Sequence, residues 1–209
     1  MEQTSNRGGG AIWPLSTLQG VATVVREHGL NLHMDGARLM NAVVASGVSA
    51  TDFAATVDSL WLDLSKGLGC PVGAVLAGTH EFIDEAWRWK HRVGGAMRQA
   101  GIIAAAGSWA LANHVERLAE DHDNARKFAK RVSEIPGVHL VNEDVQTNLI
   151  FFDVSGSQLP AQDISARLRE QGVWIGAIDN ERMRAVTHLD VSRDDVNEAA
   201  DRLADVING

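Results

Sequence analysis

The run Leu62-Asp63-Leu64-Ser65-Lys66-Gly67-Leu68-Gly69 places a lysine between an apolar, strand-like segment and a glycine-rich stretch. Upstream, His33-Met34-Asp35-Gly36-Ala37-Arg38 ends a second strand-like segment. Strands separated by helices pair in parallel through right-handed crossovers, and such sheets bind ligands beyond the carboxyl ends of their strands. We therefore expect Asp35 and Lys66 to lie at the same edge of one sheet.

A lysine and an aspartate in this arrangement suit one cofactor. A lysine amine can form an imine with the aldehyde of pyridoxal 5'-phosphate, and a carboxylate facing the pyridine nitrogen keeps that nitrogen protonated. The protonated ring then draws electrons from a substrate carbanion. Taken singly, Lys66 is compatible with a solvated loop and Asp35 with an ordinary turn, because Asp-Gly is a common turn pair. Their combination predicts a pyridoxal phosphate site.

The composition of the 209 residues is that of an ordinary globular protein, with 45% hydrophobic and 22% charged residues. The net charge of −8 argues against a nucleic-acid partner, because phosphate binding needs clustered lysine and arginine. A single cysteine, Cys70, excludes an internal disulfide and suits a reducing compartment, so we expect the cytoplasm. The most apolar stretch, Ile102 to Ala112, is too short to span a bilayer, so we expect no membrane partner.

The spacing of His33 and Asp35 resembles a metal-binding pair. The neighbouring sequence offers no third ligand at a usable spacing. We therefore expect no metal site and interpret His33 as a histidine packed in the core.

Apolar periodicity predicts an α/β chain with a larger first domain, residues 1–115, and a small C-terminal α/β domain, residues 116–209. The first helix presents a buried stripe through Leu18 and Val25 and ends at Gly29. The other predicted elements of this domain are strands at Leu30 to Met34, Ser59 to Leu64 and Val72 to Ala77, and helices at Leu39 to Val43, Thr79 to Lys90 and Met97 to Glu120.

Short sequence patterns predict the helices and strands of the C-terminal domain. Ser192 with Asp195 three residues later forms a capping-box pattern that opens the last helix. The remaining predicted elements are helices at Asp121 to Glu134 and Ile164 to Gln171, and strands at Val138 to Val141, Asn148 to Val154, Val173 to Ile175 and Arg184 to His188.

Five blocks follow one another along the chain, namely Glu2 to Asn6, His33 to Arg38, Leu64 to Gly73, Gly94 to Gly101 and Arg184 to Asp190. In this order they resemble the L-threonine aldolases of the low-specificity type, which belong to the beta-eliminating lyase and aspartate-aminotransferase-like group of pyridoxal phosphate proteins. The resemblance implies a fold of type I, with a mainly parallel sheet in an incomplete large domain. Members of that family are substantially longer, so the chain resembles a C-terminal fragment. A sheet cut between strands is expected to expose an unpaired edge and apolar surface.

The resemblance implies roles for five side chains. Lys66 corresponds to the imine-forming lysine, Asp35 to the partner of the pyridine nitrogen, and Arg98 to an arginine near the cofactor phosphate. Arg38 and Arg184 correspond to arginines that bind the substrate carboxylate, a role that suits a planar guanidinium with two parallel N–H donors. From the residues alone, each arginine is also compatible with an ordinary surface position.

The activity that the resemblance implies is cleavage of L-threonine, L-allo-threonine or related β-hydroxy-α-amino acids to glycine and an aldehyde, in a homodimer or homotetramer. No residue of the chain is assigned as the base, and a base outside the chain would leave the chain inactive even when folded. A second hypothesis is β-elimination or racemisation on the same scaffold, because the cofactor supplies the carbanion chemistry and the pocket selects the bond. A non-catalytic truncated remnant is the third.

Overall fold

A computed structural model describes residues 1–209, which form two compact units. Unit 1 comprises Met1–Thr4 and Ile12–Leu118, and unit 2 comprises Ser5–Ala11 and Ala119–Gly209. The domain boundary after residue 115 stays a prediction, because compactness alone does not define an independently folding domain. None of the helices combines the length and the apolarity that crossing a membrane requires.

Helices and short strands alternate along unit 1. Helix α4 begins where the sequence predicts, because the Thr79 side chain caps it by accepting a hydrogen bond from the Phe82 N–H. The elements are α1 (Leu15–Glu27), β1 (His33–Gly36), α2 (Leu39–Ser46), α3 (Ala50–Ala54), β2 (Ser59–Asp63), β3 (Ala74–Gly78), α4 (His80–Arg92) and α5 (Gly101–Asn113).

The sheet of unit 1 has the strand order β1-β2-β3. Strands β1 and β2 pair in parallel, as expected, with Asp35 opposite Trp61. Strand β3 departs from the expected mainly parallel arrangement, since it runs antiparallel to β2. The reason is that residues 64–73 contain no helix, whereas a parallel partner requires a long crossover connection.

The N-terminal residues cover the outer edge of β1. The Asp35 N–H donates a hydrogen bond of 2.7 Å to the Met1 carbonyl oxygen, and the Asp35 carbonyl accepts one of 2.8 Å from the Gln3 N–H. Both main-chain polar groups of Asp35 are therefore held, so its carboxylate projects from a fixed backbone.

Strand β1 and helix α5 differ from their predicted bounds because of hydrogen bonds that form beside their ends. The strand predicted to begin at Leu30 begins at His33, because the Leu30 N–H donates to the Val25 carbonyl oxygen at 3.0 Å and completes the C-terminal cap of α1 around Gly29. The helix predicted to run from Met97 to Glu120 is interrupted after Asn113. There, the His114 side chain contacts the Leu68 carbonyl oxygen across 2.6 Å.

The apolar side chains of unit 1 divide into a core and an exposed set. One core cluster consists of Leu18, Met34, Leu39, Ala42, Phe53 and Leu60. All five residues of β3 are exposed, as are Val93 (77%), Ile102 (84%) and Trp109 (58%). The unpaired edge and apolar surface expected from the sequence are therefore present, and a surface of this kind is typical of a contact surface.

Unit 2 is a four-stranded antiparallel sheet with three helices, and its strand order is β4-β5-β7-β6. The predicted capping box is confirmed, since the Ser192 side chain accepts from the Asp195 N–H and the Asp195 carboxylate accepts from the Ser192 N–H. The elements are α6 (Leu118–Ser133), β4 (His139–Leu140), β5 (Leu149–Asp153), α7 (Ala161–Glu170), β6 (Gly176–Ala177), β7 (Arg182–Val186) and α8 (Arg193–Asn208).

The edge strand β6 lies later than the strand predicted at Val173 to Ile175. The Val173 N–H instead donates to the Leu168 carbonyl oxygen at 2.9 Å, beside Gly172 at a φ of 80°. This is the same helix-ending arrangement that displaces the start of β1. The core of the unit includes Phe128 and Phe152, whose ring centroids are 6.2 Å apart in an edge-to-face contact.

The buried His122 on α6 makes the stability of unit 2 dependent on pH. The side chain is 2% exposed, and burial lowers its pKa from 6.5 to about 4, with the nearby Arg126 charge acting in the same direction. Between these two pH values the unfolded chain binds the proton more tightly. The free energy of unfolding should therefore fall as the pH drops from 6.5 to about 4, by about 3 kcal/mol in all.

Urea unfolding of the chain at a series of pH values measures this slope. His122→Leu should flatten the curve in that window, because leucine carries no titrating group. His139→Gln is the matched control, since it removes an exposed histidine of the same unit and leaves the buried His122 in place. An equal slope in the parent chain and in His122→Leu would contradict the prediction.

Candidate active site

Asp35 lies on β1, and its orientation follows from the register with β2. Residues that face each other on paired strands project to the same side of a sheet, and alternate residues of one strand share a face. Asp35 is opposite Trp61, and Asp63 follows Trp61 by two residues. The side chains of Asp35, Trp61 and Asp63 therefore share one face of the sheet.

Lys66 follows the carboxyl end of β2, and its ammonium group reaches back to the same face. The Lys66 Nζ forms an ion pair with the Asp63 Oδ2 and lies 5.1 Å from the centroid of the Trp61 ring. The Lys66 side chain remains 36% exposed. The Lys66 amine and the Asp35 carboxylate thus lie on one face of the sheet, near the carboxyl ends of β1 and β2.

Main-chain hydrogen bonds close the loop that carries Lys66. The Gly69 N–H donates to the Lys66 carbonyl oxygen (2.8 Å), and the Cys70 N–H donates to that of Leu64 (2.9 Å). Gly69 adopts a φ of 71°, a conformation that suits glycine. His114 contacts the Leu68 carbonyl oxygen from the end of α5. The loop is therefore fixed from two directions.

The Asp63 carboxylate stays ionised although it is buried. Burial raises its pKa, but the hydrogen bonds from Lys66 and Ser65 and the lysine charge together outweigh burial. The pKa therefore lies below its ordinary value of 3.8. Asp63, Trp61 and His114 were not predicted to belong to the site. The period-two spacing of Trp61 and Asp63 on a predicted strand indicates that they share a face but does not indicate any chemical role for them.

Gly36 allows β1 and β2 to approach closely beside Asp35. A Cβ atom at this position would lie 2.2 Å from the Trp61 carbonyl oxygen, well inside any real contact. Only glycine is therefore accommodated next to Asp35 without moving one strand from the other.

The predicted arginines of unit 1 occupy different environments. Arg38 is 9% exposed at the start of α2, and together with Asp63 it lines a small cavity. Arg98 lies exposed in the segment between α4 and α5. The structure thus brings Arg38 near the Lys66–Asp63 pair, whereas Arg98 contributes no described contact to it.

Arg184 lies on β7 in unit 2. Its guanidinium carbon is 5.8 Å from the Phe151 ring centroid, and its buried Nε has no hydrogen-bond partner. A buried guanidinium N–H without an acceptor suits an anion such as a carboxylate. His33 is not the packed core histidine that the sequence suggested. It is exposed, and its Nδ1 contacts the Ser59 Oγ at 2.8 Å, because both residues begin their strands.

The residues present fit pyridoxal phosphate. That cofactor requires an amine to hold its aldehyde carbon and an acid for its ring nitrogen. Lys66 and Asp35 supply these groups on one face of the sheet, at the edge where parallel strands bind ligands.

Comparisons with known proteins find relatives that match most of the chain. Residues 1–155 match the family model described as beta-eliminating lyase. The low specificity L-threonine aldolase of Escherichia coli (strain K12) is 42% identical over 200 residues, which are 96% of this chain and 57% of that protein. The low-specificity L-threonine aldolase 1 of Arabidopsis thaliana is 35% identical over 198 residues, 94% of this chain and 55% of that protein.

A solved structure from Exiguobacterium sp. 255-15, provisionally named an aromatic amino acid beta-eliminating lyase/threonine aldolase, superposes with a TM-score of 0.82 at 24% identity. The match covers 98% of this chain and 60% of that one. The fold is therefore that of the type I pyridoxal phosphate enzymes, and the chain spans rather more than half the length of the relatives it matches.

Proposed function

The chain belongs to the beta-eliminating lyase family, and from that premise we propose that it serves a lyase that cleaves L-threonine or L-allo-threonine to glycine and an aldehyde. Family and fold indicate pyridoxal phosphate as the cofactor. The chain covers 57% of the Escherichia coli aldolase, so the proposed reaction is that of a protein of the relatives' length.

One observation carries the proposal. The Lys66 amine lies over the Trp61 ring, and Trp61 is the direct partner of Asp35 in the parallel β1–β2 pair. An amine and a carboxylate on one face, at the ligand-binding edge of a parallel pair, are the two groups that this cofactor requires. The Asp35 Oδ1 also accepts a hydrogen bond of 2.9 Å from the Ala37 N–H, as a turn aspartate does, so it is the shared face with Lys66 that supports the cofactor role.

The cofactor, when bound, accepts the electron pair of the breaking Cα–Cβ bond. Lys66 would hold it covalently and exchange with the incoming amino acid, as an amine at a strand end can. The Asp35 carboxylate would accept a charge-assisted hydrogen bond from the ring nitrogen and so keep the proton there. The fixed backbone of Asp35 orients that carboxylate without further reorganisation.

The arginines would bind the anionic groups. We assign Arg38 and Arg184 to the substrate carboxylate, which matches the fork of N–H donors on a guanidinium. The buried Arg184 Nε without a partner supports its assignment, and the position of Arg38 beside Asp63 supports the other. We assign Arg98 to the cofactor phosphate, an assignment supported by its place in the Gly94 to Gly101 block.

A β-elimination is the second candidate reaction, because the family model itself carries that description. The reaction products distinguish aldol cleavage from β-elimination. Aldol cleavage of threonine releases glycine and acetaldehyde, whereas elimination releases ammonia and a 2-oxo acid. Both depend on Lys66 and Asp35, so the site assignment does not depend on which bond breaks.

Reduction with borohydride tests the site. After incubation of the chain with pyridoxal phosphate, reduction should leave a phosphopyridoxyl group on Lys66, and peptide mass spectrometry should find it there in preference to the other three of the four lysines. Label spread evenly over the lysines, or absent from Lys66, would overturn the proposal. Product analysis of a protein of the relatives' length with L-threonine and L-allo-threonine then identifies the reaction.

The proposal also covers assembly and location. We propose a homodimer or homotetramer in the cytoplasm that acts in glycine and threonine metabolism. The exposed apolar side chains of the α4–α5 region, including Trp109 and Ile102, support an assembly. The single cysteine supports a reducing compartment.

A further inference from the structure

The two oxygens of the Asp63 carboxylate have separate partners. Oδ1 accepts hydrogen bonds from the Ser65 N–H (2.7 Å) and the Ser65 hydroxyl (2.8 Å). Oδ2 accepts from the Lys66 ammonium. Ser65 thus fixes the carboxylate through one oxygen, and the other oxygen is directed at the lysine.

The Lys66 side chain needs such an anchor, because a lysine has four rotatable bonds and no preferred direction of its own. Its ammonium group has two described neighbours, the Asp63 carboxylate and the face of the Trp61 ring at 5.1 Å. A ring face attracts a cation only weakly at a partly exposed site. The carboxylate is therefore the stronger of the two anchors.

We propose that Asp63 is the positioning residue for Lys66, holding its amine against the Trp61 ring and on the sheet face of Asp35. This role adds a positioning residue to the proposed site. It rests on the proposed function only in that the positioned amine is the one that binds the cofactor. Because the Lys66 side chain is 36% exposed, water screens the ion pair, and the amine can leave Asp63 when the cofactor aldehyde arrives.

The cost of burying Asp63 supports a positioning role. A carboxylate removed from water is expensive unless it is paired and hydrogen-bonded, and the Asp63 side chain is 9% exposed. Ser65 and Lys66 together satisfy it and lower its pKa. The resulting fixed anion lies three residues before the lysine and holds the amine within 5.1 Å of the Trp61 ring centroid.

Magnetic resonance of the lysine side chains tests this position without any cofactor. In chain labelled with ¹³C-lysine, the four lysines give separate Cε–Hε signals, which Lys66→Arg and Lys90→Arg assign. The Trp61 ring should move the Lys66 signal upfield of the signals of Lys127 and Lys130. Asp63→Asn keeps the shape of the side chain but removes its charge, and should return the Lys66 signal to the position of the Lys127 and Lys130 signals.

Lys90 is an internal control, because its Nζ lies 5.0 Å from the Trp87 ring centroid, much as Lys66 lies over Trp61. Its upfield shift should be unchanged in Asp63→Asn. Asp63→Glu restores the charge on a longer side chain and should recover part of the Lys66 shift. An unchanged Lys66 signal in folded Asp63→Asn would overturn the proposal.

Ser65→Ala provides a second variant if Asp63→Asn does not fold. It removes one of the two donors that hold Oδ1 and keeps the charge, so the Lys66 signal should move part of the way downfield. A Lys66 signal that does not move in folded Ser65→Ala, when Asp63→Asn is unfolded, would equally overturn the proposal.

Borohydride trapping connects the position to the cofactor. The ratio of Lys66 to Lys90 labelling should fall about tenfold in Asp63→Asn, because an amine that is no longer held on the sheet face of Asp35 is less often placed to meet the cofactor aldehyde. Absence of Lys66 labelling in the parent chain would count against the proposed function, while the resonance shift would still decide the role of Asp63. Equal labelling ratios in parent chain and variant would count against Asp63 alone.

Discussion

Lys66→Ala is expected to abolish covalent capture of pyridoxal phosphate by this chain. The substitution removes the amine that lies over Trp61, and no other lysine shares the sheet face of Asp35 in the described contacts. The visible absorbance of the mixture should revert to that of free cofactor. The mass added by borohydride reduction at residues 62–69 should vanish, a loss on the order of a thousandfold or more in the rate of capture.

Lys90→Ala is the matched control for this prediction. Lys90 also has its ammonium group over a tryptophan ring, at 5.0 Å, but it lies on the exposed helix α4. Its removal should leave absorbance and labelling as in the parent chain. Persistent capture in Lys66→Ala, or loss of capture in Lys90→Ala, would show that another lysine holds the cofactor. Circular dichroism of both variants separates loss of chemistry from loss of fold.

The elements that the sequence predicts most closely are those with local chemical signals. Strand β2 begins at Ser59 as predicted, and α4 begins after its Thr79 cap. The capping box of Ser192 and Asp195 likewise marks the start of α8. In each case the signal lies within a few residues of the structure that it determines, so no tertiary information is needed.

The elements that differ depend on contacts remote in sequence or on the way a helix ends. The direction of β3 follows from the absence of a crossover helix after β2, and the break after α5 places His114 on a carbonyl 46 residues away. The starts of β1 and β6 are displaced because the residues after Gly29 and Gly172 complete helix caps. Apolar residues at those positions resemble the first residues of a strand.

Some residues of the candidate site could likewise be predicted from the sequence, and others could not. Asp35 and Lys66 could be predicted, because the cofactor requires an acid and an amine, and ligands bind at the carboxyl ends of parallel strands. Asp63 could not, because a strand aspartate three residues before a lysine has no chemical signature until the register and the pairing with Ser65 are known. The exposure of His33 was missed because it depends on where β1 begins.

Gly36→Ala is expected to lower the free energy of unfolding of unit 1 by about 3 kcal/mol. The added methyl group would lie 2.2 Å from the Trp61 carbonyl oxygen, and main-chain atoms in a strand pair cannot move aside as a flexible side chain can. Relief of the clash requires β1 and β2 to separate where Asp35 and Trp61 are opposite each other. Urea unfolding followed by tryptophan fluorescence reports on unit 1, which contains five of the six tryptophans.

Gly20→Ala distinguishes this steric effect from the general effect of replacing glycine. Gly20 lies within α1 and has open space around its Cα, so alanine should raise the free energy of unfolding by about 0.5 to 1 kcal/mol through helix propensity. Separation of the strands should also reduce cofactor capture at Lys66 in the Gly36→Ala variant, measured where that variant is still folded. The Gly20→Ala variant should capture the cofactor as the parent chain does. A Gly36→Ala variant as stable as the parent chain would mean that β1 and β2 lie further apart than their register and contacts indicate.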